Sequence, residues 1–141
     1  GSEMCIETAA QCGIDLDTHR GEIAAGNLSA LCDCPFVLGS AEDIGGRIGR
    51  GLLRSSGVSP VSKATSENVE TLLALCEQGV GACFCPENLL HTALSPAQLA
   101  HLHILPLCPE ASYPICFGYL SRSYPWSVLS EFIRIAREQT A

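Results

Sequence analysis

Apolar and polar residues follow one another along the chain in short blocks, and these blocks predict strands that alternate with helices. Short apolar runs predict strands at 4–6, 35–38, 58–64, 80–85, 103–107 and 115–120. Apolar residues at helical spacing predict helices at 28–32, 44–56, 67–78, 86–90, 95–100 and 125–138. The residues from 8 to 26 are polar and predict a loop. Strands that alternate with helices predict an α/β fold with a largely parallel sheet.

Two of the predicted junctions lead from a strand into a helix through a polar turn. Ser40 followed by Asp43 resembles a capping box at the first junction, and Thr65 or Ser66 is predicted to cap the helix at the second. In open α/β sheets such junctions form small-ligand sites. Ordinary helix capping explains either junction equally well. A binding cleft would be favoured only if the two junctions faced the same crevice.

Composition and charge narrow the class of protein. A length of 141 residues supports one domain, and 47% hydrophobic with 16% charged residues excludes a disordered chain. Eight basic against fifteen acidic residues leave a net charge of −7. This charge is unfavourable for binding nucleic acid or an anionic membrane surface, since both carry negative charge. No apolar run reaches the length of about 18 residues that is typical of a membrane-spanning helix.

Nine cysteines are the most unusual feature of the composition. The odd count and the absence of a leader-like N-terminus favour reduced thiols in the cytosol over a secreted disulfide scaffold. The pairs Cys32/Cys34 and Cys83/Cys85 place two sulfurs on one face of a strand. Zinc sites usually separate paired ligands by two to four residues, so we expect these cysteines to pack in the core.

The histidines offer little support for catalysis or metal binding. His91, His101 and His103 have no acidic partner close by in sequence, which favours solvated loop positions over a metal site. A cysteine nucleophile needs a histidine base beside it, and nothing in the spacing singles out such a pair. We therefore expect no enzyme activity, no catalytic residue, no metal and no cofactor.

A longer ordered pattern carries a family resemblance. Its first half is Phe36-Val37-Leu38, a polar turn, a helix with Arg47, and Gly57-X-X-Pro60. Its second half is Thr65-X-Glu67, Leu72-Leu73, Gly79-Val80-Gly81-Ala82 and Cys85-Pro86. Together with the strand at 115–120 and the helix from Trp126 through Ile133, the order resembles the effector-binding domain of LysR-type transcriptional regulators. The similarity extends from about Met4 to Glu138.

The resemblance implies a periplasmic-binding-protein-like (type 2) fold, with a mixed, mostly parallel sheet flanked by helices. Such domains have two α/β subdomains joined by two crossover strands. Residues 1–2 look like an expression scar, and the resemblance implies that 3–141 are a fragment of the domain. The second subdomain would span about 8–112, the crossover strands 3–7 and 115–120, and the terminal helix 125–138. The DNA-binding domain and most of the first subdomain would be absent.

The resemblance also implies a function and a site. A small-molecule effector would bind in the cleft between the subdomains and reset a DNA-bound homo-oligomer in the bacterial cytoplasm. The DNA contacts would come only from the absent N-terminal domain, and no membrane would be involved. The cleft positions that match are Gly39, Ser40, Ile44, Gly45, Thr65 and Ser66, with Arg47 as a cation for an anionic effector.

Two alternatives remain open at this point. An extracytoplasmic solute-binding protein has the same fold, and disulfides in the native protein would favour it. A cysteine- or metal-dependent enzyme would require bound zinc or a thiol with a strongly depressed pKa. The terminal helix carries a separate expectation. We expect its apolar side to fold back on the chain or to pair with another copy in a dimer.

Overall fold

The computed structural model describes residues 2–6, 14–108, 116, 118 and 126–140. The predicted strand at 115–120 lies almost entirely outside these residues, as does Pro125. The strands in the described part are β1 (Ser2–Ile6), β2 (Pro35–Gly39), β3 (Val61–Ser66), β4 (Cys83–Pro86) and β5 (His103–Pro106). The helices there are α1 (Leu16–Ala24), α2 (Ile44–Ser55), α3 (Val69–Glu77), α4 (Glu87–Ala93), α5 (Pro96–Leu99) and α6 (Ser127–Thr140), and a 3-10 helix spans Ser29–Leu31.

The strands form a mixed sheet of two parts. β1 pairs antiparallel with β4 on one side and with β5 on the other, whereas β2 and β3 pair parallel. A single parallel bridge between Phe36 and Ala82 joins the parts. The Val37 amide donates to the Ala82 carbonyl oxygen and the Ala82 amide to that of Pro35, each over 2.9 Å. The predicted α/β fold with a mixed sheet is confirmed. The parallel pairing expected for most of the sheet is found between β2 and β3 and at the bridge, whereas β1 pairs antiparallel on both sides.

The predicted loop at 8–26 was wrong for the part that forms α1. Asp15 caps this helix, accepting from the Asp17 amide at 3.1 Å and from the Thr18 hydroxyl at 2.8 Å. Only Leu16 and Ile23 are buried on it, so the helix lacks the apolar stripe that periodicity detects.

The Thr18 hydroxyl lowers the pKa of the Asp15 carboxyl. The cap therefore stabilises the helix at neutral pH, and this contribution is lost as the pH falls through the lowered pKa.

Two hydrophobic clusters cover the two faces of the sheet. Because successive strand residues point to opposite faces, Phe36 and Leu38 join one cluster and Val37 joins the other. The first cluster includes buried residues of α1 and α2, and the second those of α3 and α4. Their largest fully buried side chains are Phe36, Ile23, Leu28, Leu31, Leu38, Leu53, Leu73, Leu90, Leu105 and Val37.

The expectation that the cysteine pairs pack in the core is confirmed for three of the four. Cys34, Cys83 and Cys85 are buried in the two clusters, but Cys32 is exposed at the end of the 3-10 helix. Cys32 comes three residues before β2 rather than on it, so the strand alternation that relates Cys83 to Cys85 does not apply to this pair.

The terminal helix α6 is amphipathic and carries its own ion pairs. Arg134 lies 2.6 Å from carboxylate oxygens of both Glu131 and Glu138, one turn away on either side. The opposite side carries apolar residues, of which Val128 is 76% exposed. Within the described part of the chain, none of the helices has the length and apolar character needed to cross a membrane.

Candidate functional site

The two predicted junctions meet at one edge of the sheet. Gly39 at the carboxyl end of β2 is the register partner of Ser66 at the carboxyl end of β3. The helices that follow these strands begin beside each other, and a pocket of about 40 Å³ opens between them. It is lined by Leu38, Gly39, Asp43, Gly45, Gly46, Ser66, Glu67, Val69, Leu72, Phe84, Cys85 and Pro86.

Asp43 caps the first of these helices. Its carboxylate accepts hydrogen bonds from the amides of Gly45 at 3.0 Å and Gly46 at 3.4 Å. The predicted capping box starting at Ser40 was therefore wrong, since the Ser40 hydroxyl accepts from the Glu42 amide within the turn, at 3.3 Å. Asp43 keeps extended backbone angles, so α2 begins only at Ile44 and Ser40 lies too far ahead to reach its first turn.

Asn68 caps the second helix in the same way. Its side-chain oxygen accepts from the amides of Glu70 at 2.8 Å and Thr71 at 3.3 Å. The prediction that Thr65 or Ser66 caps this helix was wrong, because β3 continues through Ser66 and α3 begins only at Val69. Ser66 instead stabilises the turn between β3 and α3, because its hydroxyl oxygen accepts a hydrogen bond from the Asn68 amide at 3.1 Å.

Glycine allows the strand end and the first turn of α2 to touch. A Cβ atom on Gly46 would overlap the Ser40 carbonyl oxygen and would lie 2.9 Å from the carbonyl oxygen of Gly39. These neighbours are backbone atoms and cannot rotate away as a side chain would. The absence of a side chain at Gly46 therefore determines the shape of this end of the pocket.

The pocket contains some of the residues expected from sequence and not others. Gly39, Gly45 and Ser66 line it. The other four expected positions lie outside its lining, and all are exposed or half-buried: Ser40, Ile44, Arg47 and Thr65. The lining residues that were not expected from sequence are Leu38, Asp43, Gly46, Glu67, Val69, Leu72, Phe84, Cys85 and Pro86.

The charge of the pocket lining is negative. Asp43 and Glu67 are its charged members, and no lysine, arginine or histidine is among the residues that line it. The nearby Arg50 turns its guanidinium to the end of β2, where Nη2 donates to the Gly39 carbonyl oxygen at 3.1 Å. Its Nε is buried and has no hydrogen-bond partner within the described residues. Arg50 therefore contacts the strand end and is not one of the lining residues.

No candidate metal site accompanies the pocket. Among residues 2–6, 14–108, 116, 118 and 126–140, no group of three or more histidines, cysteines or acidic residues is arranged to hold a metal ion. His91, His101 and His103 are exposed, as expected. The expected loop positions were wrong for two of them, since His91 lies in α4 and His103 begins β5. The side chains that line the pocket offer apolar surface, two carboxylates, a hydroxyl and the Cys85 thiol.

The pocket is small compared with sites that enclose a whole ligand. Clefts that bury most of a small organic ligand have volumes of about 300–1,000 Å³. A cavity of about 40 Å³ can accept one group of such a ligand. The pocket therefore has room for part of such a ligand and not for the whole of it.

Comparisons with known proteins point to one family. The model of the LysR substrate binding domain matches residues 19–141. No curated protein matches the chain significantly. One similar solved structure is the effector binding domain of QuiR in complex with shikimate, with a TM-score of 0.61 and 11% identity over 98% of this chain and 60% of that chain.

Two further similar structures come from Pseudomonas aeruginosa. One is of PA01 protein, described as a LysR family transcriptional regulator, with a TM-score of 0.60 and 17% identity over 99% of this chain and 45% of that chain. The other is HinK, a LysR family transcriptional regulator, with a TM-score of 0.60 and 16% identity over 98% of this chain and 44% of that chain. The chain thus spans less than two thirds of each of these three. Because the family model covers most of its length, the chain belongs to the LysR substrate binding domain family.

Proposed function

We propose that this chain senses a small-molecule effector as the second subdomain of the regulatory domain of a LysR-type transcriptional regulator. The observation that carries the proposal is the pocket at the meeting of the β2–α2 and β3–α3 junctions, in a chain of this family. Open α/β sheets bind ligands at the carboxyl ends of their strands, where this pocket lies. Gly39, Gly45 and Ser66 are proposed to contact the effector directly, and Ser40, Ile44, Arg47 and Thr65 to lie around it.

The small pocket volume supports a two-lobed site. A wall with room for part of a ligand needs a second wall, which a first subdomain would supply across the cleft.

Within this proposal the second subdomain spans about 8–112, the crossover strands 3–7 and 115–120, and the terminal helix 125–138. The whole regulator would work in the cytoplasm and bind DNA through a separate N-terminal domain. The net charge of −7 is unfavourable for DNA binding by this part. Effector-binding domains of this family are generally not enzymes, and we propose no catalysis.

The proposed site can be tested by nuclear magnetic resonance on the purified chain. We expect members of a library of small polar and aromatic fragments to shift the backbone amide signals of Gly39, Gly45 and Ser66. A Ser66→Phe variant should lose these shifts because the ring fills the pocket. Ser62→Phe is the matched control, since Ser62 is exposed on the same strand outside the pocket. Fragments that shift only distant amides, or that bind Ser66→Phe unchanged, would contradict the proposed site.

We further propose that the regulator is a homo-oligomer and that α6 takes part in self-association. Its exposed apolar residues are Val128, Phe132 and Ile135, at spacings of four and three residues, preceded by Trp126. Exposed apolar patches of this kind usually pack against a partner.

Light scattering over a range of concentrations tests this proposal. We expect the purified chain to be a dimer and Val128→Glu to shift it to monomer, because a buried charge without a partner is strongly unfavourable. Ser130→Glu, on an exposed residue of the same helix, is the control and should leave the dimer intact. A monomeric native chain at all concentrations would reject the proposal.

A further inference from the structure

Both helix N-termini at the pocket already hold an acceptor from this chain. The Asp43 carboxylate occupies the amides of Gly45 and Gly46, and the Asn68 side chain occupies those of Glu70 and Thr71. Free amides at a helix N-terminus are what usually attract a carboxylate or phosphate. These four amides are taken, so an anionic ligand that used them would have to displace a cap.

The polar side chains at the pocket offer mainly acceptors. Both Asp43 hydrogen bonds go to the same oxygen, Oδ2, and the other carboxylate oxygen accepts none from the described residues. Glu67 adds a second carboxylate, and Ser66 adds a hydroxyl that can donate. No positively charged side chain lines the pocket, and the nearby Arg50 guanidinium is engaged by the Gly39 carbonyl oxygen.

The rest of the lining is largely apolar. Leu38, Val69, Leu72, Phe84 and Pro86 provide aliphatic and aromatic surface around the acceptors. An apolar group gains free energy by leaving water for such a surface. A carboxylate placed here would instead be repelled by Asp43 and Glu67, and it would also lose its own hydration.

We infer that the effector presents to this wall an ammonium group carried on an apolar body, and not a carboxylate or phosphate. The ammonium would donate to Asp43 and Glu67, and the carbon atoms next to it would contact Val69, Leu72 and Phe84, with the rest of the body outside the pocket. This inference rests on the proposed function, because it concerns the ligand of the same pocket. It also assigns any anionic group of the effector to another part of the cleft.

Three probes distinguish the effect of the ligand's charge on binding from the effect of its shape. All three have a phenyl ring on a two-carbon arm and differ in the terminal group. They are 2-phenylethylamine, 2-phenylethanol and 3-phenylpropanoate, each titrated into the purified chain at neutral pH and low salt. Binding is followed by the amide signals of Gly39, Gly45 and Ser66. We expect the amine to bind about fivefold more tightly than the carboxylate, as for a partly exposed ion pair. The alcohol should lie between them.

Variants identify the groups that cause the preference. Asp43→Asn keeps an N-cap acceptor, and Glu67→Gln keeps the side-chain shape. Each should reduce the preference for the amine by removing one charge. Glu22→Gln on α1 removes the same charge away from the pocket and should leave the preference unchanged. Retention of the full preference in both pocket variants would overturn the inference.

The outcomes distinguish the inference from the proposed function. If the carboxylate binds as tightly as the amine or more so, the inference fails and the pocket remains a ligand site. If no probe shifts the pocket amides up to its solubility limit, and the fragment library also fails to do so, both the inference and the proposed site fail.

Discussion

A Phe36→Ala variant is expected to lose about 3–5 kcal/mol of its free energy of unfolding, the usual cost of deleting a buried phenylalanine ring. The Phe36 side chain is 0% exposed. Its ring stacks on that of Phe84, with centroids 6.1 Å apart and planes inclined by 7°. Its backbone also forms the bridge to Ala82 that joins the two parts of the sheet. Because small domains have a total stability of about 5–15 kcal/mol, the loss would be a large share of the whole.

Urea unfolding followed by circular dichroism measures this loss. Phe36→Leu keeps most of the apolar volume and should cost less than half as much. Val61→Ala removes methyl groups from a side chain that is 55% exposed, and it should change the stability by no more than about 0.5 kcal/mol. A loss below about 1 kcal/mol for Phe36→Ala would mean that this ring is not central to the core.

A Gly46→Ala variant is expected to lose about 3 kcal/mol, although alanine is the better helix former. The new Cβ atom would overlap the Ser40 carbonyl oxygen and would come within 2.8 Å of the Gly39 carbonyl carbon. Relief of this overlap requires the start of α2 to move away from the end of β2. Since Gly39, Gly45 and Gly46 all line the pocket, the same movement should alter the pocket.

Gly51→Ala provides a matched control on the same helix. A Cβ atom at Gly51 has nothing within 4 Å, so the substitution should stabilise α2 by about 0.5–1 kcal/mol. Urea unfolding gives the two changes in stability, and the amide signals of Gly39 and Ser66 report any movement at the pocket. Equal stability changes in the two variants would show that the contact between strand and helix at Gly46 is not tight.

The fold could be predicted from sequence where apolar residues are dense. The runs at 35–38 and 80–85 include all but the last residue of β2 and of β4. Gly57 and Gly79 follow α2 and α3, where their positive φ angles of 72° and 76° are ones that glycine tolerates. Helix α1 was missed because its stability comes from a polar cap at Asp15 and two buried residues seven positions apart. Such a helix has no detectable hydrophobic period.

The site could be predicted only in part. The adjacency of Gly39 and Ser66 follows from two parallel strands that end at the same edge, and the sequence shows both strands. Phe84, Cys85 and Pro86 reach the pocket because residue 82 pairs with Phe36 next to β2, a contact between residues far apart in sequence. No pattern of neighbouring residues in the sequence indicates that pairing. The helix caps were misplaced by about two to three residues, the usual uncertainty of element boundaries.

The bridge between Phe36 and Ala82 has a mechanical consequence. It joins the β2–β3 ladder, whose register shifts between Phe36 and Val37, to the part of the sheet that contains β1, β4 and β5. The pocket lies across this junction, with Leu38 and Gly39 on one side and Phe84 and Pro86 on the other. A molecule in the pocket would therefore contact both parts of the sheet at once, and its binding would oppose their separation.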